Sequence, residues 1–237
     1  ILHHVARLLR QRCQRRAQRP RVRIRDRRAR WAAILIAWPH AGTDWAPRLA
    51  EVERTCAALA CSISQRQPVI ICVADADLRE RARFVLGEAG AQARNLRFVE
   101  LPYDDTWLRD SGPITLTGDA GQFRLDDFRF TGWGGKFGAE RDDALIAGLV
   151  SAGVFGQAGH RRIDWALEGG GIESDGARTV LTTWKCLNQR HPEQSRTAMD
   201  AILLDSLHAN RILWLDYGYL EGDDTDAHID TLARFAP

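Results

Sequence analysis

Val69-Ile70-Ile71-Cys72-Val73 is an unbroken run of five apolar residues, and Asp77 to Ala89 follows it with a helical pattern that ends near Gly90. A short apolar run, too brief for a helix and set between Pro68 and, past Ala74, Asp75, predicts a strand. Working outward, Ala32 to Ala37 predicts an earlier buried strand and Phe98 to Leu101 a later one. Between the first two strands, Pro47 to Ser62 carries Leu49, Val52, Cys56 and Leu59 on one stripe, a helix opened by Thr43 or Asp44. Strand and helix in alternation predict an α/β fold. Farther on, Ile114 to Leu116 and Phe123 to Phe130 flank Gly118-Asp119-Ala120-Gly121, which has hairpin turn chemistry. Arg141 to Val150 and Pro192 to Ala209 predict helices. Gly171 to Ser174, Thr179 to Thr183, Arg211 to Leu215 and Thr231 to Phe235 predict strands.

The 237 residues suffice for one large domain or two small ones, and they contain no apolar run long enough to span a bilayer. Charge is balanced overall but unevenly placed. Residues 1 to 30 hold twelve of the thirty-three basic residues and one of the thirty-one acidic ones, so the remainder is acidic by nine charges. An acidic body suits a cationic ligand, and solubility explains it equally well. The Arg-rich start fits a nucleic-acid arm or a transit leader, yet it lacks Ser and interleaved aromatics. The reading adopted divides the chain into residues 1–30, a disordered or non-native lead-in, and residues 31–237, the domain proper. Five cysteines at irregular spacing, with no Cys-x-x-Cys pair, give no disulfide framework and point to the cytoplasm.

Two acidic loops suggest the chemistry. Asp104-Asp105-Thr106-Trp107-Leu108-Arg109-Asp110 places a carboxylate three residues after an aromatic, and Asp223 to Asp230 places His228 two residues before Asp230. If the second loop is extended, His228 and Asp230 share a face. A buried guanidinium offers five donors in a plane and calls for carboxylates that bind it in pairs, so Asp110 and Asp230 are candidates for such a clamp. Asp110 read without that context is a turn residue beside Gly112-Pro113.

These loops, with Ala37-Trp38-Pro39-His40, Gly132-Trp133-Gly134-Gly135-Lys136, Leu167-Glu168-Gly169-Gly170, Leu181-Thr182-Thr183 and Cys186-Leu187-Asn188, resemble the agmatine deiminase and bacterial peptidylarginine deiminase family of guanidine-modifying enzymes, the penteins. The resemblance implies a pentein-type α/β propeller with fivefold pseudosymmetry, incomplete in this chain. It implies deimination of agmatine to N-carbamoylputrescine and ammonia, with arginine or peptidylarginine as the alternative substrate. Asp110 and Asp230 would hold the guanidinium and His228 would act as general acid and base. Trp107 would form a wall, Glu168 would contact the far amine or support the inner groups, and Asp104 would assist in substrate binding. The partner is then a small guanidinium molecule, with no membrane or nucleic acid; a homodimer of the complete protein stays open. No cofactor or metal is implied.

Two departures stand out. The family's nucleophile, a cysteine in a Gly-Gly-x-x-His-Cys setting near the C-terminus, has no match among Cys13, Cys56, Cys61, Cys72 and Cys186. The expectation is therefore a deiminase that lacks its catalytic thiol through truncation and is inactive as it stands. Ala227 stands where the family often has Gly, which restricts the backbone if that position needs positive φ. The main rival is a metal-dependent hydrolase that gathers Asp104, Asp105, Asp110, Asp223, Asp224, His228 and Asp230 about divalent ions. The other rival is a fragment that binds nucleic acid through its basic arm.

Overall fold

The computed structural model describes residues 33–118, 122–218, 220–223, 225 and 227–236, together with the backbone of Val22–Ile24. Its first unit is a parallel sheet of β2 (Ile34–Ala37), β3 (Val69–Val73) and β4 (Leu96–Glu100), with β3 central. Every residue of β3 is buried, and the pleat splits them between two cores. Val69, Ile71 and Val73 pack with Trp38, Ala57, Ala60, Ala82 and Leu86, on the side of α1 (Leu49–Ser64) and α2 (Ala76–Glu88). Ile70 and Cys72 face the other way, toward Leu145, Ile146 and Leu149 of α3 (Glu140–Ser151). A strand covered on both faces has no solvent side to mark with polar residues, which is why its sequence is apolar throughout.

The second sheet runs β1 (Val22–Ile24), β5 (Ile114–Gly118), β6 (Phe123–Arg129), β7 (Gly159–Ala166). The first three are antiparallel neighbours, and β6 and β7 are parallel. The third sheet orders β10 (Arg211–Leu215), β9 (Thr179–Thr183) and β8 (Ile172–Ser174), with β10 parallel and β8 antiparallel to β9. Its core joins Val180 to Phe128, Trp165, Leu187, Met199 and Leu203, and so includes α4 (Trp184–Arg190) and α5 (Arg196–Ser206). The architecture is α/β. Among the described residues the three sheets do not close on one another into a ring.

Several elements differ from the sequence expectation for identifiable reasons. Strand β7 was not anticipated, because its first half, Gly159 to Arg162, is polar and its apolar alternation is confined to Ile163 and Trp165. It is held to β6 by charge instead. Arg161 and Arg124 both bind the fully buried Asp126, at 2.8 Å each, and Arg162 and His160 bind Asp127 at 3.0 Å. The helix expected over 192–209 is shorter: Ser195 accepts Ala198 N and starts α5, with α4 a separate segment capped by Thr183. Thr231 to Phe235 is not a strand, since Ile229–Thr231 forms a 3-10 turn followed by irregular chain. Neither Thr43 nor Asp44 caps α1. Pro47 lies in a 3-10 turn, Ala46–Arg48, and the Asp44 amide donates to Asp105 Oδ2 at 2.8 Å.

The Arg-rich segment departs from its reading in one place, where Val22–Ile24 pairs with β5 as an edge strand. For residues 1–21 and 25–30, and for Cys13, the reading falls outside the described residues. The expected free cysteines hold: Cys56 and Cys61 lie on α1, Cys72 is buried in β3, and these are unpaired, as is Cys186.

The two-sided burial of β3 sets up a contrast. Ile71→Ala removes a side chain with 0% exposure and should cost about 2–5 kcal/mol of unfolding free energy in urea. Phe84→Ala, on α2 with 71% exposure, should change stability by no more than ~0.5 kcal/mol.

Candidate active site

Three segments distant in sequence meet at a turn of three glycines. Gly169–Gly171 is a 3-10 turn that leaves the end of β7 and enters β8. A Cβ on Gly169 would lie 2.2 Å from the Arg109 carbonyl oxygen, so backbone packs directly on backbone there. A Cβ on Gly170 would fall 2.5 Å from Asp110 Oδ1, 2.5 Å from His228 Nδ1 and 3.1 Å from Asp230 Oδ2. The missing side chain at residue 170 thus marks the point on which the two predicted clamp carboxylates and the predicted histidine converge.

Each of these groups is fixed by local structure. Asp110 sits in the helical turn Leu108–Ser111, where Oδ1 accepts the Gly170 amide at 2.8 Å and Oδ2 accepts the Trp133 indole at 3.0 Å. Trp133 itself has φ 55, inside the tight Gly132–Gly135 turn. His228 immediately precedes the 3-10 turn Ile229–Thr231, and its carbonyl accepts the Thr231 hydroxyl. The extended geometry expected for His228 and Asp230 is therefore replaced by a turn that still brings both to Gly170. Ala227 adopts φ 69, the positive value flagged from sequence as difficult for Ala. It is clasped there by its amide on Asp223 Oδ2 at 2.9 Å and by the Thr183 hydroxyl on its carbonyl at 2.7 Å.

The His228 ring bridges two carboxylates. Nδ1 lies 3.6 Å from Asp110 Oδ1 and Nε2 lies 3.5 Å from Glu168 Oε2, both with little or no solvent exposure. Glu168 is in turn paired to the fully buried Arg190, whose Nε donates to Oε1 at 2.9 Å. Burial alone would neutralise the imidazole, but contact with Cys186 and Glu168 and the charge of Asp110 outweigh it and push the ring up to about 10. Burial raises Asp110, against the opposing pull of His228, Trp133 and Gly170. Burial also raises the Cys186 thiol. Glu168 is held below the usual range: burial would raise it, and His228 and Arg190 together win.

The remaining predicted residues are placed differently. Asp230 is partly exposed and binds two cations of the chain, Arg109 Nε at 3.1 Å and Arg234 at 3.9 Å. Trp107 packs on Trp45 and stands edge-on to Trp133, so it belongs to an aromatic rim beside Asp110. Asp104 does not join the cluster. Its carboxylate accepts the Arg141 amide at 2.9 Å, and its amide binds Asp142, at the start of α3. Asp105 and Asp223 likewise hold backbone amides, so these three acidic residues of the metal-hydrolase reading serve turns and stay out of the cluster around Gly170. Asp224 lies outside the described residues. Sequence reasoning placed the Gly132 to Lys136 loop near the site, as Trp133 bears out by its bond to Asp110, and missed Arg190 and Cys186 as neighbours. The glycines around Trp133 carried a signal of tight approach; a lone Arg in an amphipathic stretch carries none.

The profile of the family described as Porphyromonas-type peptidyl-arginine deiminase matches residues 24–237. The chain is 34% identical over 217 residues to the agmatine deiminase of Stutzerimonas stutzeri and 35% identical over 207 residues to that of Pseudomonas aeruginosa. It spans 56% and 54% of those proteins, and the matches cover 87% and 84% of this chain. Among solved structures it is similar to the substrate-bound agmatine deiminase of C. jejuni, with TM-score 0.81 and 30% identity over 92% of this chain and 63% of that one.

Two measurements test the site's construction. Gly170→Ala should destabilise the chain by about 1–3 kcal/mol or displace His228, whereas Gly87→Ala, whose Cβ meets nothing within 4 Å, should stabilise by up to ~1 kcal/mol. Thermal melts of both variants check this. The second test is pH. The folded state holds the His228 proton with a value of about 10 against an ordinary 6.5, so the stability it contributes is full below pH 6.5 and lost as pH climbs toward 10. Melting temperature should fall across that window, and His228→Gln should flatten the fall.

Proposed function

This chain belongs to the family of Porphyromonas-type peptidyl-arginine deiminases, and from that premise we infer that it forms the guanidinium-binding part of an enzyme that hydrolyses agmatine to N-carbamoylputrescine and ammonia. The observation that carries the reading is the convergence of Asp110, His228 and Asp230 on Gly170. Asp110 and Asp230 both border the Gly170 turn as carboxylates for a planar cation bound beside it, and Asp230 already binds a guanidinium in this chain, that of Arg109. Agmatine is preferred to peptidylarginine because the relatives that the chain matches at 34–35% identity are agmatine deiminases.

The chemistry assigned to these residues follows from their positions. The two aspartates offset the charge of the bound guanidinium as its central carbon becomes tetrahedral. His228, kept protonated at neutral pH by Cys186, Glu168 and Asp110, gives its proton to the departing ammonia and then takes one from the attacking water. Glu168 sets the imidazole's orientation from the other side, with Arg190 behind it. The covalent step needs a thiolate. Cys186 does not suit that role, since it is fully buried and burial raises its thiol, the reverse of an activated nucleophile. The attacking thiol is assigned to the C-terminal cysteine of the family pattern. Its thiouronium-type adduct is released by water as the ureido product.

The three sheets are proposed to be units of a pentein propeller, with the site at its centre. No helix among the described residues is long and apolar enough to cross a membrane. The cytoplasm is the compartment proposed, on the free thiols of Cys56, Cys61, Cys72 and Cys186.

Agmatine binding followed by calorimetry tests the assignment. Asp110→Asn should weaken binding by about 3–5 kcal/mol, or two to four powers of ten, because it strips a buried partner from the cation. Asp230→Asn should lose less, since that carboxylate is partly exposed and shared with Arg109. If both variants bound agmatine like the parent while Glu168→Gln did not, the clamp would be misplaced.

A further inference from the structure

On the side of the His228 ring away from Asp110, three donor atoms of different chemistry meet. Glu168 Oε2, Cys186 Sγ and His228 Nε2 all lie within 4.8 Å of one another. Glu168 and Cys186 have 0% exposure and His228 has 1%. Glu168 Oε2 and His228 Nε2 face each other at 3.5 Å, an ion-pair separation, and neither completes a hydrogen bond. A buried polar atom in that condition is costly, and two that point at one small space invite a body between them.

The space suits one kind of occupant. A zinc-type cation binds nitrogen and oxygen at roughly 2.0–2.2 Å and sulfur at about 2.3 Å, so tetrahedral neighbours stand about 3.4 Å apart. The Glu168–His228 separation of 3.5 Å matches that edge. One carboxylate, one imidazole and one thiol form a borderline-soft set, suited to zinc or cobalt and ill-suited to magnesium or calcium. The outer supports are also present. Arg190 fixes the other oxygen of Glu168 at 2.9 Å, and Asp110 faces the other nitrogen of His228 at 3.6 Å, the backing that orients a ligating ring.

We propose that Glu168 Oε2, Cys186 Sγ and His228 Nε2 form a binding site for a thiophilic divalent cation of the zinc type. Binding makes three bonds to the metal and releases the thiol proton and one imidazole proton; nothing is oxidised or reduced. The cation occupies the nitrogen that faces Glu168, so it bears on the histidine of the clamp, but the site stands or falls independently of the deiminase reading.

The chelator-stripped chain, titrated with Co²⁺ alone, reports the site through the metal's own spectrum. The expected result is one equivalent bound with a near-ultraviolet sulfur-to-cobalt charge-transfer band, displaced by Zn²⁺. Cys186→Ser should abolish the band, while Cys56→Ser and Cys61→Ser should keep it. Glu168→Gln and His228→Gln should each weaken binding by more than the ~10–100-fold that a lost supporting contact costs. A cooperative melt establishes that each variant is folded; should Cys186→Ser fail to fold, the Glu168 and His228 variants decide. Absence of the band in the parent chain, its survival in a folded Cys186→Ser, or unchanged affinity in both other variants would overturn the proposal.

Discussion

The contact on which the rest depends is the hydrogen bond from the Gly170 amide to Asp110 Oδ1, 2.8 Å long and buried. It joins the turn after β4 to the turn after β7, and it forms only because residue 170 lacks a Cβ. With the amide satisfied by a carboxylate, that carboxylate is oriented toward His228, and His228 reaches Glu168. Gly169 makes the same approach possible one residue earlier, against the Arg109 carbonyl. The site is thus built from backbone proximity first and side-chain chemistry second. This explains why Asp110 can be so deeply enclosed: its acceptor positions are met by an amide and an indole that carry no charge.

Around that contact lies a chain of alternating charge, Asp110 to His228 to Glu168 to Arg190, with little or no solvent exposure along it. Removing charges from water is costly, and such a chain is tolerated when each member has an opposite neighbour. Truncation at one point leaves the next group unmet, so substitutions within it will not act additively. The arrangement also keeps the imidazole charged in a place where burial alone would discharge it. Asp230 differs in kind, being partly exposed and matched to two arginines.

What the sequence made legible was whatever rests on period or on short-range chemistry. The β3 run, the helices at 76–88 and 140–151 and the antiparallel pairing of β5 with β6 follow from apolar spacing and turn residues. Asp110, His228 and Asp230 could be singled out because a short motif surrounds each. Strand β7 was hidden because its cohesion comes from Arg161 and Arg162 meeting Asp126 and Asp127 across the sheet, a pairing with no local signature. Arg190 and Cys186 were hidden for the same reason, as their partners lie far along the chain. Asp104 shows the converse hazard: an acidic residue in the right loop whose carboxylate is occupied by the first turn of α3.

Gly170 also limits how this surface can drift. Every other residue type carries a Cβ, so any coding change at that position places an atom 2.5 Å from both Asp110 and His228. The floor of the site therefore has no neutral neighbours in sequence space. Variation has to enter from the walls, through the partly exposed Trp107 or the loop that carries Trp133 and Phe137.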